Sequence, residues 1–127
     1  SYDRYGQLIA ELWRSIRLVV DTGIHWKGWT KQQVLDYMYA NAPVKEARAV
    51  SEAERFIVLP GQALAYKIGM LKIQELRQRA EERLQDAFDI RDFHREVLRH
   101  GSIPLSLLEL EIEQWLNSVT SNQPARF

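Results

Sequence analysis

Apolar residues recur at three- and four-residue intervals along almost the whole chain, the spacing that keeps side chains on one face of an α-helix. The first run places Tyr5, Leu8, Ile9, Leu12, Trp13, Ile16, Val19 and Val20 on one stripe, with Glu11 and Arg14 opposite and Arg17 at its edge beside Trp13. Gly23 predicts the end of this helix, because glycine accepts the left-handed conformation found at helix C-termini. A second helix is expected to begin after Thr30, an N-cap residue, with Gln33 placed to complete a capping box. Trp29 and Val34 occupy the staple positions on either side of that cap. The helix should end before Pro43, since the residue preceding a proline disfavours helical dihedrals.

A third helix is predicted from about Lys45 to Ile57, running into Leu59-Pro60-Gly61. The fourth, from Gln62 to about Gln85, changes character along its length. Between Leu64 and Ile73 apolar residues face every side, and beyond that the surface is charged. A helix apolar all round is normally surrounded by protein, so its start implies a larger body than this chain supplies. Asp89 caps a fifth helix with Phe88 and Phe93 at staple positions, and Gly101 closes it. Pro104 opens a sixth, with Leu105, Leu108, Ile112, Trp115, Leu116 and Val119 as its stripe. The expected fold is all-α, about six helices in an irregular bundle. Residues 1–120 form a single helical segment in this reading and residues 121–127 a polar tail.

Composition narrows the function classes. The 127 residues carry 17 basic and 17 acidic side chains, so no net charge draws the chain toward nucleic acid or an anionic membrane. With no cysteine there is no disulfide framework and no thiolate metal site. No apolar run reaches the eighteen or so residues of a membrane span. The sequence contains no phosphate-binding glycine loop and no GxSxG nucleophile elbow. The chain starts at Ser1 rather than methionine, with no targeting pattern before its first helix, which favours a segment of something longer.

Candidate chemistry is sparse. His94 and His100 are six residues apart, which rotates them to different helix faces, and no HExxH pair exists to chelate zinc. His25 lies in the stretch Asp21-Thr22-Gly23-Ile24-His25-Trp26-Lys27-Gly28-Trp29, read as an interhelical loop. It is either a packing residue between two indoles or a loop histidine available to donate a hydrogen bond. Tyr66 sits in the apolar start of the fourth helix, where a phenol needs a partner: a backbone carbonyl in the bland case, a developing oxyanion in the other. Lys67 is expected either to snorkel or to pair with a glutamate, Gln62 either caps or contacts substrate, and Glu52, Glu54 and Arg55 are expected on a solvated face.

Two stretches, Arg17-Leu18-Val19-Val20-Asp21-Thr22-Gly23-Ile24-His25 with Gly28-Trp29-Thr30, and Leu59-Pro60-Gly61-Gln62-Ala63-Leu64-Ala65-Tyr66-Lys67-Ile68-Gly69, carry a resemblance. With Phe88-Asp89, Phe93-His94, Gly101, Pro104-Leu105 and Leu108-Glu109 further on, the chain resembles the C-terminal part of the bacterial family called domain of unknown function 885. Proteins of that family are similar to helical zinc peptidases of the HExxH-plus-Glu type, whose metal ligands precede the region matched here. The resemblance implies a C-terminal piece with no metal ligands of its own, zinc in the intact parent, the N-terminal remainder of the same protein as partner, and a peptide as substrate. It implies His25 and Tyr66 as donors to the tetrahedral oxyanion, and Arg17 and Gln62 as holders of a substrate carboxylate or backbone. The competing expectation is a non-enzymatic helical module whose apolar faces dock another protein.

Overall fold

The computed structural model describes residues 1–121 and is all-α, with no strand among those residues. Six α-helices follow in order: α1 (Tyr2–His25), α2 (Lys31–Asn41), α3 (Glu46–Val58), α4 (Ala65–Leu84), α5 (Ile90–Leu98) and α6 (Leu105–Ser121). Short 3-10 turns at Gln62–Leu64 and Gln85–Ala87 flank α4. Beyond Ser121, the polar tail read from the sequence lies outside the described residues. The chain divides into two compact units, Ser1–Ile68 and a second beginning at Gly69.

The first unit is built on the α1 stripe. Trp13, Ile16 and Val20 pack with Val34, Leu35 and Met38 of α2 and with Ala49, Ala53 and Phe56 of α3. Ala49 and Ala53 are wholly buried one turn apart, so α3 presents small residues where its backbone approaches the core and Phe56 where it fills it. The α2 cap forms as expected. The Thr30 hydroxyl accepts the Gln33 N–H at 3.3 Å, while Gln33 Oε1 accepts the Thr30 N–H at 2.8 Å.

The predicted end of α1 at Gly23 is wrong by two residues. The helix continues to His25, and the left-handed residue that turns the chain is Gly28 (φ +68°). Gly23 is needed for space instead. A Cβ there would lie 2.4 Å from the Trp29 ring, which folds back against the helix while Trp29 donates its N–H to the Gly23 carbonyl at 2.9 Å.

In the second unit Leu76, Ala80 and Leu84 of α4 meet Phe93 of α5 and Leu108, Ile112 and Leu116 of α6. Phe88 and Phe93 make the predicted contact across the Asp89 cap, ring centroids 6.3 Å apart. Lys72 and Arg79 bind Glu109, Arg79 and Arg83 bind Glu113, and Arg83 reaches Asn117. Partners rise together along both helices, so α4 and α6 run side by side in the same direction. These pairs are partly exposed and so screened by water, and they set register more than they stabilise.

Candidate functional site

The residues singled out in the sequence gather in the first unit around the last two turns of α3. Their placement begins with Pro60. Helix α3 ends with its final carbonyls needing donors, and the natural donor for the Phe56 carbonyl, four residues on, would be the N–H that Pro60 lacks. His25 supplies it, with Nε2 lying 2.9 Å from the Phe56 oxygen. A carbonyl only accepts, so Nε2 carries the proton and Nδ1 is the remaining polar atom of the ring. His25 is therefore the last residue of α1 rather than a loop residue, and it is exposed.

One turn earlier on α1, Asp21 is the one buried charged side chain among the described residues, 3% exposed. Both of its carboxyl oxygens accept the Gly61 N–H, at 3.2 and 3.0 Å. Gly61 holds φ +80°, a left-handed conformation natural to glycine, and no neighbour lies where its Cβ would be. Asp21 and His25 thus clamp the Leu59-Pro60-Gly61 turn against α1, and that turn launches Gln62 and Tyr66.

Glu52 is the polar hub. It accepts from the Trp13 indole N–H (3.3 Å), from Arg17 Nη2 (3.0 Å) and from Arg55 (3.3 and 3.0 Å). Burial acts to raise its pKa, but the hydrogen bonds from Arg55, Arg17 and Trp13 outweigh that and hold the carboxyl below its ordinary value of 4.5. Arg55 also donates to Gln62 Oε1 at 2.9 Å. Arg17 and Gln62 are therefore linked through Glu52 and Arg55. Of the three residues expected on a solvated face, Glu54 is exposed and pairs with Lys31 at 2.6 Å, whereas Glu52 and Arg55 turn into this network. Glu52 sits three residues from Ala49 and four from Phe56, on the margin of the apolar stripe, and that register is the signal that could have found it. Asp21 lies off its stripe and offered no such signal.

Tyr66 is half exposed, not enclosed in apolar surroundings, because the start of α4 has little packed around it. Its ring lies beneath two guanidiniums, Arg14 and Arg17, each 5.7 Å from the centroid. Its hydroxyl makes no hydrogen bond among the described residues. Lys67 pairs with Glu11 at 3.1 Å, the second of the two roles the sequence left open. Arg17 also stands over the Phe56 ring at 5.8 Å, so one guanidinium links the network to both aromatic rings.

A metal centre is not part of this arrangement. Among the described residues no three His, Asp or Glu side chains are grouped to hold an ion, so the donor set does not fit zinc. No single helix among them is long and apolar enough to cross a membrane.

Residues 1–112 match the family described as bacterial protein of unknown function (DUF885), and the chain belongs to that family. Among solved structures it is similar to a protein of Colwellia psychrerythraea described as a candidate lipoprotein. The two are 47% identical with a TM-score of 0.88 over 91% of this chain. This chain spans 20% of that protein's length. The comparison with curated proteins gave no match.

Proposed function

We propose that this chain is the substrate-facing helical part of a larger, metallopeptidase-like bacterial hydrolase. In this reading Tyr66 donates to the reacting carbonyl oxygen, Arg17 and Gln62 position the substrate, and His25, whose Nε2–H is taken by the Phe56 carbonyl, holds the turn rather than donating to the oxyanion. Any zinc would be held by residues outside this chain, and these four roles do not depend on it. The observation that carries the reading is Tyr66 itself, a half-exposed phenol with no hydrogen-bond partner among the described residues and two guanidiniums on its ring. A hydroxyl so placed can donate outward, and cations beside it favour negative charge as it develops on a substrate oxygen. The Asp21 and His25 clamps hold this part of the chain in place, which is what a transition-state donor requires.

The test is made on the protein encoded by the complete reading frame. An HExxH helix upstream of Ser1, bound metal and peptide cleavage are expected. Tyr66→Phe should then lower kcat by roughly 10²–10³, the cost of one oxyanion donor, with Tm unchanged. Full activity in Tyr66→Phe, or a frame that opens immediately before Ser1, overturns it.

A second reading rests on a different face. Tyr5, Leu8, Leu12 and Val19 of α1 are exposed and fall on one strip beside the buried stripe. The N-terminal remainder of a longer chain would cover this strip, whereas an interaction module would use it for another protein. Leu8→Glu with Leu12→Glu separates the two. Loss of folding in the full-length protein favours an internal contact, and loss of a partner with folding intact favours the module.

A further inference from the structure

Beside α1, on the side away from the exposed apolar strip, lies a groove of about 340 Å³ within the first unit. Trp13, Pro43 and Val44 give it apolar walls, and the guanidiniums of Arg14, Arg17 and Arg48 line it without any carboxylate among the lining residues. Three like charges around one apolar depression repel one another and favour an anion between them. Of the three, only Arg17 pairs with Glu52, which it shares with Arg55. Arg14 and Arg48 make no ion pair among the described residues, and Arg17 Nε is buried with no acceptor.

The remaining donors are also presented in a usable way. Arg48 lies over the Trp13 ring, its Cζ 5.1 Å from the centroid, and Arg14 over Tyr66 at 5.7 Å. A cation over a ring face still has N–H donors to offer, and the planar fork of a guanidinium matches the two oxygens of a carboxylate. The volume is that of a small-ligand site.

We propose that this groove binds a carboxylate carried on an apolar body, with Arg14 and Arg48 taking the oxygens and Trp13, Pro43 and Val44 the apolar part. The choice of a carboxylate over another oxyanion rests on the peptidase-like reading, where it would be the chain end of a peptide. The groove itself rests only on its own residues. Arg48 joins Arg17 as a candidate substrate contact, and none of His25, Gln62 and Tyr66 lines the groove.

The experiment titrates the 127-residue chain with N-acetyl-L-phenylalanine, its neutral amide and phenyl phosphate, by calorimetry and by following the Trp13 indole N–H resonance. The acid is expected to bind and shift Trp13, and the amide to bind far more weakly. Arg14→Gln and Arg48→Gln should each weaken the acid roughly tenfold, the size of one charge-assisted hydrogen bond. Arg91→Gln, in the second unit, should leave it unchanged. Equal binding of acid and amide, no shift at Trp13, equal loss in Arg91→Gln, or binding of phenyl phosphate alone would each overturn the proposal. Absence of a metal-binding helix upstream of Ser1 would overturn the peptidase reading and leave these titrations as they stand.

Discussion

The carboxyl group of Asp21 takes the Gly61 N–H with both of its oxygens, joining residues forty positions apart and giving a buried carboxylate its donor. The Gly61 N–H starts the 3-10 turn that leads into α4, so its acceptor comes from α1 rather than from its own helix. Asp21→Ala removes a hydrogen bond to a charged acceptor and leaves the turn unclamped on this side. It should destabilise the chain by about 1–3 kcal/mol in urea unfolding. Asp21→Asn keeps an acceptor oxygen and should cost less than the alanine. Equal stability of wild type and Asp21→Ala would mean the bond adds nothing.

The His25 contact makes a coupled prediction. His25→Ala should cost about 1 kcal/mol, because the Phe56 carbonyl loses its donor. Pro60→Ala restores an N–H at the position where helix geometry expects one. In that background His25→Ala should cost measurably less, and a double-mutant cycle reads the difference. Strict additivity would show that the proline is not the reason for the histidine's position.

Two glycines in helices should respond oppositely to alanine. Gly69→Ala, with nothing within 4 Å of its Cβ position, should stabilise by roughly 0.5–1 kcal/mol through the unfolded chain and helix propensity. Gly23→Ala gains the same propensity but drives a methyl into the Trp29 indole. The rigid ring must leave its place, and the net change should be a loss of about 1–3 kcal/mol, accompanied by altered tryptophan fluorescence.

Acid should loosen the first unit through Glu52. Its folded-state pKa lies below 4.5, so its contribution is fully present above that pH and is lost as pH falls through the folded value. Stability measured between neutral pH and about pH 3 should therefore fall at the acid end. Glu52→Gln should lower stability at neutral pH and flatten the acid slope. A parallel curve for the variant would exclude Glu52 as a source of the dependence.

Much of the local architecture is legible in the sequence. Thr30 with Gln33 and Asp89 with Phe88 and Phe93 announce two helix starts, because caps and staples are built from residues close along the chain and need no tertiary partner. The apolar stripes of α1 and α6 name much of both cores for the same reason. Reading Gly23 as a stop fails because a glycine can serve either dihedral freedom or clearance for a neighbour. Only Trp29 folding back on α1 distinguishes the two.

What the sequence determined on its own was the all-α class, the six helices and the family, since periodicity, caps and family motifs are properties of contiguous residues. The tertiary structure decided what the polar residues do. Asp21 meets Gly61, His25 meets Phe56 next to a proline, and Glu52 draws Trp13, Arg17 and Arg55 together. The arginine-lined groove likewise exists only once α1 lies against the Ala42-Pro43-Val44 connection and α3. Hydrogen bonds and ion pairs between distant residues depend on distances of a few ångströms, and those follow from how the helices pack.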